Sequence, residues 1–187
     1  MIAKQTFDLA LSRTIRAPRQ KVFDAFVKPE MLKLWYGPRG YSIPEAQMDV
    51  RAGGRYRITM RPRTGESYVV TGEYREVEPP ERLSFTWRWE GESMAAMGET
   101  LVTVVLVEKG GVTEVKLLHS GFPSPEARDS HVGGWNPALN CLVDATDERG
   151  SAASITVFGD PRSTYTRSVL MALAEKGVAY TFEQAAP

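Results

Sequence analysis

Leu83-Ser-Phe-Thr-Trp-Arg-Trp89 alternates large apolar and polar side chains more regularly than any other stretch of the chain. In an extended strand, successive side chains point to opposite faces. The four apolar side chains therefore share one face, and Ser84, Thr86 and Arg88 share the other. A face with one leucine and three aromatic rings must be covered, so this stretch predicts a strand of a sheet that packs against another layer.

Similar stretches lie on both sides at a spacing of roughly ten residues, which is typical of an antiparallel meander. Residues 55–60 and 66–77 precede the central stretch, and the longer strand is broken at Gly72, where either a bulge or a sharp coil of the sheet is predicted. Residues 100–107 and 112–119 follow it and are joined by Lys109-Gly-Gly111, which predicts a hairpin turn. With a first strand over 7–15, the sequence predicts one antiparallel sheet.

Helical periodicity flanks the sheet-forming region. Two short helices are predicted after Pro18, the second over about 29–35. A long helix is predicted from Pro125, capped by Ser124, to about Asp144. Pro137 lies inside this helix and predicts a kink near Gly133-Gly134. The predicted fold is therefore α+β, a helix-grip arrangement in which a curved antiparallel sheet surrounds a long C-terminal helix.

A second, smaller segment follows a small, polar linker over 145–153. Residues 154–187 are predicted to form a strand, a helix and a strand, and the chain reads as stopping within a fold. Such a unit has too little apolar surface for a core of its own. We therefore expect it to dock on the domain formed by residues 1–144 or on a second copy of the chain, as a homodimer interface.

Composition restricts the classes of partner. The 187 residues include 23 basic and 23 acidic side chains, so the net charge of zero argues against a nucleic-acid or anionic-membrane partner. No apolar run reaches the ~20 residues of a membrane span. A single cysteine, Cys141, and two histidines argue against a structural metal site. We expect a cytoplasmic protein without a cofactor.

The apolar face of the sheet supplies the candidate site, a cavity for a small apolar ligand between the sheet and the long helix. The residues predicted to line it are Trp35, Tyr56, Phe85, Trp87, Trp89, His119, Trp135 and Leu139. The alternative is that these side chains are simply core. His119 is a polar anchor or a proton-transfer group in the cavity, or else a residue that fixes the turn after it. His131 is expected to be solvated. No catalytic residues are predicted, because no nucleophile and base occur in a recognisable pattern.

The order of motifs over about 7–144 resembles the SRPBCC (START-like) superfamily, in particular its AHSA-type branch, the Hsp90 ATPase activator homologues. The resemblance rests on the ordered motifs Arg16-Ala-Pro18 with Val22-Phe23, Pro29-Glu30 with Leu34-Trp35-Tyr36, Gly53-Gly54-Arg55-Tyr56, the stretch from Gly72 to Leu83, Thr86-Trp87, His119-Ser-Gly-Phe122 and His131-Val-Gly-Gly-Trp135. It implies a helix-grip fold with an apolar cavity. It also implies, as an alternative function, interaction with a chaperone ATPase.

Residues 154–187 resemble the start of a glutathione S-transferase N-terminal, thioredoxin-like domain. The resemblance rests on Val157-Phe-Gly-Asp-Pro-Arg-Ser163, Arg167-Ser-Val169, Leu173-Ala-Glu-Lys-Gly177 and Tyr180. It implies a glutathione-site-like role for Ser163 and Arg167, in which Ser163 activates the thiol, with transferase activity as a second alternative function. The third strand and the γ-glutamyl motif of such domains are absent from the stretch. Ser163 is more simply a helix N-cap.

Overall fold

Seven antiparallel strands form one curved sheet with the order β1-β7-β6-β5-β4-β3-β2. The computed structural model describes residues 5–147, 155–159, 163–175 and 180–184. Contacts divide the chain into two units, residues 1–146 and 147–187. The strands of the first unit are β1 (Phe7–Ile15), β2 (Ser42–Met48), β3 (Arg55–Arg61), β4 (Tyr68–Glu78), β5 (Arg82–Trp89), β6 (Thr100–Lys109) and β7 (Val112–Phe122).

The central strand β5 buries the predicted apolar face, and Ser84 and Thr86 on its other face are buried as well. Leu83, Phe85 and Trp87 are buried, and Trp89 at the strand end is half-buried. Pairing with β4 on one side and β6 on the other satisfies the backbone of β5. The aromatic face of this strand is therefore held rigidly near the middle of the sheet.

One strand, β2, was not located from the sequence pattern. Its sequence, Ser-Ile-Pro-Glu-Ala-Gln-Met, contains a proline and polar residues that obscure the alternation. It lies at the edge of the sheet and pairs only with β3. An edge strand tolerates proline because one row of its backbone donors needs no partner in the sheet.

The turns of the meander follow the glycines. Gly110 and Gly111 both have positive φ, 61° and 77°, and connect β6 to β7 as the predicted two-residue hairpin. Of the two alternatives at Gly72, the bulge is wrong, because the register of β4 against β5 shifts between Tyr74 and Glu76. The sharp coil stays a prediction. Gly72 is needed for close approach instead: a Cβ there would lie 1.9 Å from the carbonyl oxygen of Thr86.

Three helices complete the first unit: α1 (Arg19–Val27), α2 (Pro29–Leu32) and α3 (Pro125–Thr146). The predicted cap of α3 is confirmed, because the Ser124 hydroxyl accepts a hydrogen bond from the backbone N–H of Ala127 at 3.2 Å. The helix continues through Pro137 and ends two residues beyond the predicted end. The kink stays a prediction.

Helix α3 is attached to the sheet by its apolar stripe and by polar contacts at one edge. Trp135, Leu139 and Leu142 of this helix are buried and form the apolar stripe. At the edge, Arg13 of β1 donates hydrogen bonds to the side-chain oxygens of Asn140 and Asn136, both at 2.9 Å. The predicted helix-grip α+β fold is confirmed.

The second unit contains β8 (Ile155–Gly159), α4 (Thr164–Glu175) and β9 (Tyr180–Gln184). The two strands pair in parallel, with Ile155 opposite Tyr180. Ser163 occupies the N-cap position of α4, and its hydroxyl accepts from the N–H of Thr166 at 3.4 Å. Most of the predicted linker lies outside the described residues. None of the described helices is long and apolar enough to cross a membrane.

Candidate ligand-binding cavity

Strand β5 and helix α3 present four aromatic or imidazole rings to each other. Trp87 and Trp89 are two residues apart on β5 and therefore share a face. His131 and Trp135 are four residues apart on α3 and likewise share a face. The ring centroids of Trp87 and Trp135 are 5.3 Å apart, and those of Trp89 and His131 are 6.0 Å apart. The layer between sheet and helix is therefore aromatic at this point.

A chain of hydrogen bonds fixes His119 of β7 behind this layer. The indole N–H of Trp135 donates to His119 Nδ1 at 3.0 Å. Since an indole nitrogen can only donate, Nδ1 carries no hydrogen and the proton of neutral His119 is on Nε2. That N–H donates to the Thr100 hydroxyl at 2.7 Å, and the hydroxyl donates to the carbonyl of Trp87 at 3.2 Å. Both ring nitrogens of His119 therefore have a hydrogen-bond partner.

In a second tryptophan–histidine pair, the tryptophan is on the sheet and the histidine is on the helix. Trp89 of β5 donates its indole N–H to Nε2 of His131 on α3 at 3.0 Å. The Nδ1–H of His131 donates to the Ala127 carbonyl at 2.8 Å. The expectation that His131 is solvated is wrong, since the residue is 7% exposed. His131 lies four residues before Trp135 and therefore on the same apolar face of the helix. This spacing could have predicted its burial from the sequence.

Both histidines are held neutral by their surroundings. Burial, with a smaller contribution from the nearby His131, lowers the pKa of His119 to about 2. Burial also lowers the pKa of His131, although its hydrogen bond to Ala127 opposes the shift. The two rings lie 5.3 Å apart, so protonation of either disfavours protonation of the other. These histidines hold the helix on the sheet, and neither has a free nitrogen for proton transfer.

A partly open cavity of about 360 Å³ lies in front of this layer. Its wall is formed by Tyr36, Gly37, Pro38, Tyr41, Met60, Tyr68, Trp87, Trp89, Met94, Met97, Ser130, His131, Gly134, Trp135 and Ala138. The rim includes the exposed side chains Tyr68 and Ser130, together with the half-buried Met94 and Met97 from the 3₁₀ helix Glu92–Met97. Since rings and methionines dominate the wall, the cavity suits an apolar molecule.

Two buried polar atoms of this wall have no hydrogen-bond partner among the described residues: the indole N–H of Trp87 and the hydroxyl of Tyr36. Both side chains are 6% exposed. Burial raises the pKa of Tyr36 well above its ordinary value, so the hydroxyl keeps its proton. Burying such groups without a partner costs free energy, about 1–3 kcal/mol for each.

The eight predicted site residues divide into two groups. Trp87, Trp89 and Trp135 are in the cavity wall. The remaining five are buried outside the wall: Trp35, Tyr56, Phe85, His119 and Leu139. Trp35 donates its indole N–H to the Ala25 carbonyl, and Tyr56 donates its hydroxyl to the Thr86 carbonyl. A contribution of any of the eight residues to ligand binding stays a prediction.

Other parts of the wall escaped the sequence analysis because they lie on irregular segments. Tyr36 and Tyr41 flank a turn cluster, which the sequence marks only as a loop. Met94 and Met97 follow β5 in a 3₁₀ helix without a periodic pattern. Side-chain periods of about 2 and about 3.6 residues identify strands and helices, whereas the position of an enclosing loop depends on tertiary contacts.

The family model described as "Activator of Hsp90 ATPase homolog 1-like protein" matches residues 16–147. The solved structure of protein CV1439 from Chromobacterium violaceum is 25% identical, with a TM-score of 0.69, over 75% of this chain and 96% of that chain. The AHSA1 protein SPO3351 from Silicibacter pomeroyi is 27% identical, with a TM-score of 0.65, over 74% and 96%. CalU16 from Micromonospora echinospora is 25% identical, with a TM-score of 0.55, over 74% of each chain.

No curated protein matches the chain significantly. The transferase-like resemblance of residues 154–187 lies outside the range that the family model matches, and it stays a prediction. Over residues 16–147, the resemblance inferred from the motifs is confirmed by the family model and by the fold. This chain belongs to the AHSA1 family of the SRPBCC superfamily.

Proposed function

We propose that the protein binds a small, largely apolar molecule, without chemical conversion, in the cavity between β5 and α3. The observation that carries the proposal is the cavity itself. Its volume of about 360 Å³ lies at the lower end of the range typical of small-molecule sites, and its wall combines aromatic rings with a few polar atoms. Because the two histidines are fully hydrogen-bonded, they serve as structure and not as acid or base.

A fluorescence titration tests this proposal directly. Trp87, Trp89 and Trp135 line the cavity, whereas Trp35 lies outside its wall. An occupant contacts three of the four indoles, so we expect a saturable change in tryptophan emission with a panel of bicyclic aromatic compounds. The same compounds should raise the melting temperature, because a ligand that binds only the folded state stabilises it. If none of the panel changes either the emission or the melting temperature, the proposal is wrong.

Interaction with a chaperone ATPase is the second candidate. It rests on the family's description, which names activation of the Hsp90 ATPase. Ligand binding has the additional support of a formed cavity whose wall is rich in aromatic rings and methionines. We therefore prefer ligand binding. Transferase activity through Ser163 and Arg167 is the weakest candidate, because the Ser163 hydroxyl already caps α4.

Self-association through residues 154–187 is a separate expectation. On α4, Met171 is 64% exposed, so an apolar side chain is available at the helix surface. We expect light scattering to give the molar mass of a dimer for the full chain, and Met171→Glu to shift the population towards monomer. Met171→Gln, which has a similar shape without the charge, serves as the control. A monomeric mass at every accessible concentration would rule out the dimer.

A further inference from the structure

The cavity between β5 and α3 is enclosed by uncharged side chains. The described residues that line it include no lysine, arginine, aspartate or glutamate, although these four types make up 25% of the chain. His131 is in the wall, but both of its ring nitrogens are hydrogen-bonded, to Trp89 and to the Ala127 carbonyl. Because burial also lowers the pKa of His131, this ring is neutral at physiological pH.

Charged side chains beside the wall are paired with each other. Arg128 and Asp129 immediately precede the wall residue Ser130, and their side chains lie 2.7 Å apart. Arg39, on the turn beside the cavity, contacts Asp144 of α3 at 2.8 Å. Neither pair is part of the wall. An ion that enters the cavity would therefore lose hydration without gaining a counter-charge, which is unfavourable.

The aromatic rings of the wall form a continuous row. Ring centroids are 6.4 Å apart for Tyr41 and Tyr68, 6.2 Å for Tyr68 and Trp89, and 5.3 Å for Trp89 and Trp87. Trp135 continues the row at 5.3 Å from Trp87. Contacts between rings contribute about 0.5–1.5 kcal/mol beyond the area that they bury. A rigid ring also loses less conformational freedom on binding than a flexible chain does.

The volume of the cavity limits the size of its occupant. At the packing density of a protein interior, about 0.74, a cavity of about 360 Å³ holds a molecule with a van der Waals volume of roughly 270 Å³ at most. This volume suits a compact molecule of fused rings. It is too small to enclose both acyl chains of a membrane lipid.

We infer that the ligand of this cavity is an uncharged, compact ring compound, and that the neutral wall discriminates against carboxylates and ammonium ions. The inference rests on the proposed function and adds a ligand class to it. Charge and ring shape are separate parts of the inference, because the first depends on the absence of counter-charges from the described wall and the second on its row of rings.

Two pairs of probes that differ almost only in charge test the first part. A methyl group of 2-acetylnaphthalene is replaced by an anionic oxygen in 2-naphthoate, and the central carbon of 2-tert-butylnaphthalene is replaced by a cationic nitrogen in trimethyl(2-naphthyl)ammonium. Calorimetric titration of the full chain at neutral pH measures the affinities. We expect each neutral probe to bind about tenfold more tightly than its charged counterpart, or better, because the charged group is dehydrated without compensation.

The second part is tested with 2-dodecanone, which has the same numbers of carbon and oxygen atoms as 2-acetylnaphthalene but no ring. We expect the naphthyl ketone to bind roughly two- to tenfold more tightly than the chain, the range that corresponds to ring contacts. The two ketones carry the same polar group, so a difference between them reports shape.

Met97→Lys places a positive charge in the wall. Met97 is a half-buried wall residue at the end of the 3₁₀ helix, and the lysine stem can keep the apolar contacts of methionine. The affinity for 2-naphthoate should rise to at least that for 2-acetylnaphthalene, while the affinity for the ammonium ion falls further. Met97→Gln, which has a similar length without the charge, is the control and should leave the order of affinities unchanged.

The outcomes distinguish the inference from the proposed function. If the neutral probes bind but a charged probe binds the wild type as tightly as its neutral counterpart, the inference is wrong and the proposed function stands. The same holds if Met97→Lys leaves the preference for the ketone over the carboxylate unchanged. Equal binding of 2-dodecanone and 2-acetylnaphthalene would overturn the assignment of a ring. If no probe releases heat or raises the melting temperature, the proposed function fails together with the inference.

Discussion

Gly134→Phe is expected to abolish ligand binding while leaving the protein folded. Gly134 is in the cavity wall on α3, and a Cβ added there meets no atom within 4 Å. A phenylalanine at this position therefore has room for its Cβ, and because Gly134 is in the cavity wall, we expect the ring to occupy the cavity. The backbone is helical, so replacing glycine also removes its conformational cost, which is about 0.5–1 kcal/mol relative to alanine. We expect an affinity loss of about a hundredfold or more in the fluorescence titration, since an occupied cavity excludes the ligand.

The neighbouring glycine provides a matched control. Gly133 lies in the same helical turn, is exposed and also has no atom within 4 Å of an added Cβ, but it is not part of the cavity wall. Gly133→Phe changes helix propensity and composition in the same way and should retain full affinity. If both variants bind equally well, the ligand site is elsewhere. If both lose binding, the effect comes from the helix and not from the cavity.

Acidification is expected to destabilise the fold strongly below neutral pH, through His119. The pKa of this residue is lowered from 6.5 to about 2 by burial, so the unfolded chain binds a proton that the folded chain does not. The free energy of unfolding therefore falls as the pH drops below about 6.5, by up to ~1.4 kcal/mol per pH unit. Between about pH 7.5 and 5, His119 alone accounts for a loss of about 2 kcal/mol. His131 acts in the same direction.

Urea unfolding at several pH values between 7.5 and 5 measures this loss, above the range in which most carboxylates titrate. His119→Gln is the informative variant, because glutamine has a donor for Thr100 and an acceptor for Trp135 but does not titrate. The variant should be less stable at neutral pH and lose much less stability on acidification. If the free energy of unfolding fell equally with pH in the wild type and in His119→Gln, the assignment of the proton to His119 would be contradicted.

The regular elements of the fold were predictable because their signals are local. The alternation of Leu83 to Trp89 identified the central strand, Gly110-Gly111 identified a hairpin, and Ser124 marked the start of the long helix. Each depends on the geometry of a few neighbouring residues. The ordered motifs then indicated the family, which the match over residues 16–147 confirms.

Predictions based on a single unusual residue were less successful. A bulge was one of two alternatives at Gly72, but the register shift lies between Tyr74 and Glu76, and Gly72 instead permits the close approach of the Thr86 carbonyl. His131 was expected in solvent and is buried instead against Trp89. In both cases the partner is on another strand or helix, and its distance cannot be read from the neighbouring sequence.

The sequence by itself determined which faces are apolar, because side-chain period follows directly from backbone geometry. It therefore identified Trp87, Trp89 and Trp135 as facing the layer between sheet and helix. Only the tertiary structure decided which rings enclose a cavity, and which polar atoms are satisfied. The three satisfied indoles differ from that of Trp87 only in the acceptor that another segment brings to them. That difference arises from packing between distant parts of the chain, where sequence periodicity carries no information.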